Sequence, residues 1–181
     1  MKFAQKIFFL LIFLFCFTLI SFAAEDVSPS HDSDLEMCYD EVLDLRFSCE
    51  SDWIYQAQGE TIFLVISEDP AVTLTLTRSE SWIKFLNQLD RKVLQEIGHY
   101  SDGFATEECM VASQKAVKVK AFSQEYEDIR LLDYYFMNDG YLYSVLFSVD
   151  PKERWDDYKF LIQDVVNSFE PFSSSRDKFS I

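Results

Sequence analysis

IRLLDYYFMNDGYLYSVLFSVDPKERWDDYKFLIQDVVNSF, residues Ile129 to Phe169, is the stretch that decides the fold. Tyr141, Tyr143, Val145, Phe147 and Val149 recur at every second position, with Ser144 and Ser148 between them. Successive side chains of a strand point to opposite faces, so this period of two predicts a half-buried strand. Ile129 to Met137 is also rich in β-favouring residues, and Asn138-Asp139-Gly140 separates the two runs. Asp-Gly readily adopts the positive φ angles of a tight hairpin, so the runs are expected to pair antiparallel. Past the hairpin, Asp150-Pro151-Lys152-Glu153 predicts a helix start: an N-cap aspartate, a proline at the first helical position and a glutamate that closes a capping box. Trp155, Tyr158, Ile162, Val165 and Phe169 then recur every three or four residues, while Asp156, Asp157, Lys159 and Gln163 fall on the opposite side. Such a stripe needs an apolar surface to cover, and the hairpin's sheet is the nearest one.

At the N-terminus, Lys2 and Lys6 flank an apolar run from Ile7 to Ile20, followed by Ser21, Ala23 and Ala24 and then by Glu25-Asp26. Charged, apolar and small residues in that order read as a secretory signal peptide over residues 1–24, with an uncleaved N-terminal membrane anchor as the alternative. Cys16 lacks the small residues that precede a lipidated cysteine. The expected location is therefore extracytoplasmic, secreted or periplasmic, with no stable membrane insertion after cleavage. Removing Lys2 and Lys6 from the 16 basic residues leaves 14 against 31 acidic ones, a balance of −17. Nucleic-acid binding rests on neutralising phosphates with Lys and Arg, so this balance argues against a nucleic-acid partner. Residues 25–43 read as an acidic leader, in which Leu35, Cys38 or Tyr39, and Val42 could form one short helical face. Weak divalent-cation binding by that leader is one alternative role, and ordinary solubility is the simpler use of the charge.

Cys38, Cys49 and Cys109 follow the signal segment, and an oxidising compartment permits one disulfide among them. Cys38–Cys49 is expected by proximity, with Cys49–Cys109 as the alternative. No CxxC or zinc-ligand spacing occurs.

Elsewhere the chain alternates between β and helical patterns. Leu45 to Cys49 reads as a strand that leads into Trp53, and Ile62 to Ile66 as a strand covered on both faces. After the Glu68-Asp69-Pro70 turn, Val72, Leu74 and Leu76 alternate with Thr73, Thr75 and Thr77, which predicts a strand with a solvated threonine face. A helix is expected from Ser81 to Ile97, with Trp82, Phe85 or Leu86, Leu89, Val93 and Ile97 on one stripe and Gly98 as its C-terminal cap. Tyr100 to Glu107 reads as a loop. Val117, Val119 and Ala121 then alternate with Lys118 and Lys120, and Lys115 completes a local basic cluster whose simplest reading is a solvated strand face. Residues 44–172 form the expected single domain, and 173–181 a serine-rich tail.

Phe47 and Trp53, Lys115-Ala116, Tyr134 to Phe136, Gly140, Tyr141 and Tyr143, Trp155 and the closing Ser168-Phe169 resemble the pattern of the PsbP-like superfamily across roughly residues 44 to 170. Glu50 and Gln114 stand where similar proteins often carry proline and glycine. That superfamily includes extrinsic subunits of the oxygen-evolving photosystem, bacterial DcrB-type envelope proteins and a nuclear factor acting on the GTPase Ran. The resemblance implies an α+β fold: an antiparallel β-sheet of about six strands flanked by helices, in an α/β/α sandwich. It also implies binding or accessory roles rather than catalysis.

No catalytic constellation stands out. His31 lies in the leader, and His99, Ser101 and Asp102 crowd one short loop, where three neighbours rarely achieve nucleophile–base–orienter geometry. Gly59, Gly98, Gly103 and Gly140 are too dispersed for a phosphate cradle. Glu107-Glu108 and Asp156-Asp157 are adjacent acids, and adjacency does not place two carboxylates across a cleft. No catalytic, cofactor-binding or metal-ligating residue is therefore assigned, and no cofactor is expected. Tyr134, Tyr135, Tyr141 and Tyr143 are the candidate interaction surface, against core packing as their commoner use. The expected function is binding to an unidentified protein partner, without catalysis. A small-ligand binder, or an enzyme whose polar groups converge in a deep pocket, is the alternative.

Overall fold

The computed structural model describes residues 35–80, 82–98 and 100–171. The expected signal peptide, most of the leader including His31, and the tail over 173–181 lie outside them, as do Ser81 and His99. Ten strands and two α-helices are described. They are β1 (Glu36–Asp40), β2 (Leu45–Cys49), β3 (Ile54–Gln58), β4 (Thr61–Glu68), β5 (Ala71–Glu80), α1 (Arg91–Gly98), β6 (Ala105–Val111), β7 (Gln114–Phe122), β8 (Arg130–Asn138), β9 (Tyr141–Asp150), α2 (Trp155–Ser168) and β10 (Glu170–Pro171). Seven strands form one antiparallel sheet in the order β3-β4-β5-β9-β8-β7-β6, and β1-β2-β10 form a second.

The hairpin read from the sequence sits at the centre of the large sheet, running from Arg130↔Val149 to Asn138↔Tyr141. Its turn has Asp139 at φ 49° and Gly140 at φ 86°, the left-handed pair that this hairpin type requires. The sheet has seven strands rather than about six. β3 is exposed along its whole length, so no burial rhythm marks it. β6 begins at Ala105, inside the expected loop, because it pairs with β7 from Ala105↔Lys120 onward.

Each face of the large sheet is covered by a different layer. On one, Val72, Leu74 and Leu76 of β5, Val145, Phe147 and Val149 of β9, and Leu132 and Phe136 of β8 pack against Leu161, Ile162, Val165 and Val166 of α2 and against Leu45 and Phe47 of β2. On the other, Val119, Leu131, Tyr135 and Leu142 meet Ile83, Leu89, Leu94, Tyr100 and Phe104, from the segment that carries α1. The result is an α+β sandwich with helices on both faces.

Four local expectations are corrected. Residues 36–40 form a strand rather than a helical turn, since they pair with β2 across Cys38↔Phe47. Asp150 does not cap a helix: it remains in β9 opposite Ala71, a 3-10 turn spans Lys152–Arg154, and α2 starts at Trp155. The expected long helix from Ser81 is replaced by a 3-10 turn at Leu86–Gln88 and the short α1. Two side chains fix that break. Gln88 Oε1 accepts the Lys84 and Phe85 N–H groups, and Asp90 Oδ1 accepts the Val93 N–H at 2.9 Å as the true N-terminal cap. Ile62 and Leu64 are buried while Phe63 and Val65 are only half-buried, so β4 is not fully covered on both faces.

Cys38 and Cys49 form a disulfide, with Cα atoms 5.8 Å apart, while Cys109 is a free thiol. The alternative pairing Cys49–Cys109 is thereby overturned. The bridge closes a loop of separation 11 within the small sheet. Cys38→Ser is expected to lower stability by about 2–3 kcal/mol through the freed unfolded chain. The midpoint of denaturant unfolding reads this, and an unchanged midpoint would assign the small sheet's stability to packing alone.

Candidate functional site

Residue Asp133 interrupts an apolar run, Leu131-Leu132-Asp133-Tyr134-Tyr135, in the middle of a central strand. Strand alternation puts Leu131, Asp133 and Tyr135 on the α1 side and Leu132, Tyr134 and Phe136 on the α2 side. Register then assembles a polar row. Tyr135 lies opposite Ser144, and Ser144 opposite Thr77; one step along, Asp133 lies opposite Leu146, and Leu146 opposite Thr75. Three strands thus place hydroxyls and one carboxylate on the same patch of sheet.

Asp133 is 2% exposed and accepts hydrogen bonds from its neighbours. Tyr100 donates to its Oδ2 at 2.5 Å, Ser144 Oγ donates to its Oδ1 at 2.9 Å, and the Tyr100 and Tyr135 hydroxyls lie 2.6 Å apart. Burial raises the Asp133 carboxyl above its ordinary range, although the surrounding donors pull the other way. Burial and the neighbouring carboxylate together raise both tyrosines. Raised phenols hold their protons in the folded state beyond the pH at which the unfolded chain loses them. The contribution of the two tyrosines to stability is therefore expected to be intact below about pH 10 and to be lost as pH rises above it. An ultraviolet absorbance titration checks this: the Tyr100 and Tyr135 phenolates appear only with unfolding, and their appearance in the folded protein would contradict the network.

Above this row lies a cavity of about 400 Å³ between the sheet and the segment before and within α1. Thr75, Thr77, Asp133, Tyr135 and Ser144 contribute its polar floor, and Ile83, Ile97, Leu142 and Leu146 its apolar walls. Glu80 and Trp82 also line it, and Trp82 is 67% exposed. The threonine face of β5 is thus not simply solvated. It forms part of this floor, and Thr73 next along it bonds Ser148 at 2.6 Å.

Gly98, expected as a helix cap, is the last residue of α1 and has a different requirement: a Cβ there would overlap the Tyr100 ring. Gly98→Ala is expected to push Tyr100 away from Asp133 and to cost about 1–3 kcal/mol, as overpacking does. Thermal unfolding measures the loss. Unaltered melting would show that the ring shifts without penalty.

The residues singled out from the sequence fall elsewhere. Tyr134, Tyr135 and Tyr143 are buried, so the proposed tyrosine interaction surface is corrected to core packing. Tyr143 stacks on Phe136 at 5.0 Å and donates to the Leu43 carbonyl at 3.0 Å, which ties the loop after β1 to the large sheet. Tyr141 is half-buried, with the Arg78 guanidinium 4.6 Å from its ring centre. Lys118 and Lys120 each meet the same Glu107 carboxylate at 3.1 Å, which offsets part of the expected basic face. Ser101 donates to the Phe122 carbonyl and Asp102 accepts from Gln95, so the two triad candidates inside the described residues serve local structure. Asp156 and Asp157 pair with Lys159 and Arg154 on the surface of α2. Among the described residues no three His, Cys, Asp or Glu side chains group as metal ligands, and no helix is long and apolar enough to cross a membrane.

The sequence reading missed Asp133, Tyr100 and the cavity. A charged residue between leucine and tyrosine in a central strand was the available signal for Asp133. Tyr100 had none, because its approach to the sheet depends on how the preceding segment folds. The exposed Trp82 and Phe85 were expected in a helix stripe, and both lie outside α1 at 67% and 68% exposure.

No protein-family model matches the chain, and no curated protein does so either. Solved structures are similar in fold. The solution structure of cyanobacterial PsbP (CyanoP) from Synechocystis sp. PCC 6803 matches with a TM-score of 0.57 at 17% identity, over 82% of this chain and 98% of that one. The Ran-binding protein Mog1p of Saccharomyces cerevisiae matches with a TM-score of 0.53 at 9% identity, over 78% and 97% of the respective chains. At these identities the likeness is one of architecture.

Proposed function

We propose that this chain, which has the PsbP-like fold, is an extracytoplasmic, non-enzymatic binding protein whose site is the cavity floored by Asp133. The observation that carries this reading is the cavity itself, at the lower end of the ~300–1,000 Å³ range of small-molecule sites and with polar groups converging under apolar walls. The absence of catalysis rests on the state of those groups. Ser144 donates to Asp133 rather than to a histidine base, and both phenols are held away from ionisation, so the row offers no activated nucleophile. The apolar segment Ile7 to Ile20 and the Cys38–Cys49 bridge support a location outside the cytoplasm.

Native mass spectrometry of the full chain recovered under mild conditions tests the reading. A discrete low-mass adduct is expected, and its loss in Ile97→Trp, a change at the partly exposed cavity wall, would locate it. A bare chain in every preparation would overturn it. A second reading, a protein partner docking across the same face, is favoured by the exposed Trp82 and Phe85. Crosslinking in intact cells should then recover one reproducible partner through those two residues, and repeated recovery of the uncrosslinked chain would dismiss it.

A further inference from the structure

Among the described residues the cavity lining contains two carboxylates, Asp133 on the floor and Glu80, and no basic side chain. That imbalance sets the chemical class of its occupant. From the charge and geometry we infer that the site takes a small organic cation: a primary ammonium seated against Asp133, joined to an apolar body lying between Ile83, Ile97 and Leu146. The inference rests on the binding reading above and deepens it.

Three features agree. First, the described donors to Asp133 are neutral hydroxyl and amide groups, from Tyr100, Ser144 and its own strand, and a charge-assisted bond from a positive partner is roughly twice as strong as a neutral one. Second, an ammonium has three donors and no acceptor, and the floor supplies oxygen acceptors around the carboxylate at Ser144, Thr75 and Thr77. A ligand carboxylate or phosphate would instead meet Asp133 as a like charge. Third, the chain's net charge of −15 draws cations toward it, and the exposed Trp82 lines the cavity, where an indole is a favourable neighbour for a cationic group. Apolar walls favour an amine with a hydrocarbon or aromatic body over a bare metal ion, whose hydration shell they could not replace.

Isothermal titration calorimetry on the full chain, with 2-phenylethylamine and the matched neutral 2-phenylethanol as probes, tests the assignment. The amine is expected to bind at least tenfold more tightly than the alcohol. Asp133→Asn should erase that preference while leaving the alcohol's affinity unchanged, and Ile97→Trp, which leaves the hydrogen-bonded row intact, should weaken the amine at least tenfold. Because Asp133→Asn alters a buried network, the probe comparison in the unaltered chain and the Ile97→Trp result decide the matter if that variant does not fold. Equal affinities, a preference for the alcohol, or amine binding indifferent to Ile97→Trp would overturn the cation assignment. If neither probe binds while an adduct of another class is retained by the unaltered chain and lost in Ile97→Trp, the cation assignment fails and the binding reading stands.

Discussion

Asp133→Ala is expected to lower the unfolding free energy by roughly 2–5 kcal/mol, from about 1–3 kcal/mol for each buried donor left without an acceptor. The Tyr100 and Tyr135 hydroxyls face one another at 2.6 Å and can satisfy only one donor between them. Ser144 Oγ loses its acceptor as well, though it borders the cavity, where water can replace it. A compensating gain arises because the substitution also removes a buried charge, and this keeps the loss below that of a broken ion pair. Asp133→Asn separates the two contributions, since its amide oxygen still accepts while the charge is gone. It should cost about 1 kcal/mol or less in neutral solution, and it should remove part of the pH dependence. The sign follows from the raised carboxyl: the folded state binds its proton more tightly than the unfolded chain does, so Asp133 favours folding most below its unfolded pKa, and that contribution is lost as pH rises through the folded value. Denaturant unfolding at several pH values reads both effects. An alanine variant as stable as the parent would show that the hydroxyls do not depend on the carboxylate.

Phe169→Ala is expected to cost about 3–5 kcal/mol, the range for truncating a buried aromatic. Phe169 is 1% exposed and stacks on Phe47 at 5.3 Å between ring centres. It follows the last turn of α2, where its N–H donates to the Val166 carbonyl, and it precedes β10, which pairs with β2. One ring therefore joins the helix and the small sheet within the core that they share with the large sheet. Phe160, on the same helix but 71% exposed, is the control, and Phe160→Ala should leave stability within about 0.5 kcal/mol. Equal losses in the two variants would mean that α2 does not dock by the stripe described.

The stripe on α2 and the β8–β9 hairpin were legible in the sequence because both are strongly periodic over many residues, and Asp139-Gly140 permits few alternatives. Element starts were less legible. Asp150, Pro151 and Glu153 carry the local chemistry of a helix cap, yet Asp150 is held by its pairing with Ala71, a partner almost 80 residues earlier in the chain. Trp82 and Phe85 carry helical spacing, and the hydrogen bonds of Gln88 and Asp90 redirect the backbone before that spacing can be used. The site was hidden for a related reason. Thr75, Thr77, Asp133 and Ser144 look like unrelated surface polar residues until the β5–β9–β8 register sets them side by side. A register is a relation between distant segments, and no local window contains it. The four tyrosines around the hairpin gave the opposite error, since three serve the packed layers instead of an outer surface.

Methyl-resolved NMR of the full chain, titrated with a mixture of small neutral, cationic and anionic fragments, tests most directly whether the cavity is where this protein binds. Ile83, Ile97, Leu142 and Leu146 line it from three different segments, so an occupant should shift their methyl signals together and leave those of Leu161, Ile162 and Val165 beneath α2 unchanged. Shifts confined to other surfaces, or none in any of the four cavity residues, would contradict the assignment of this site.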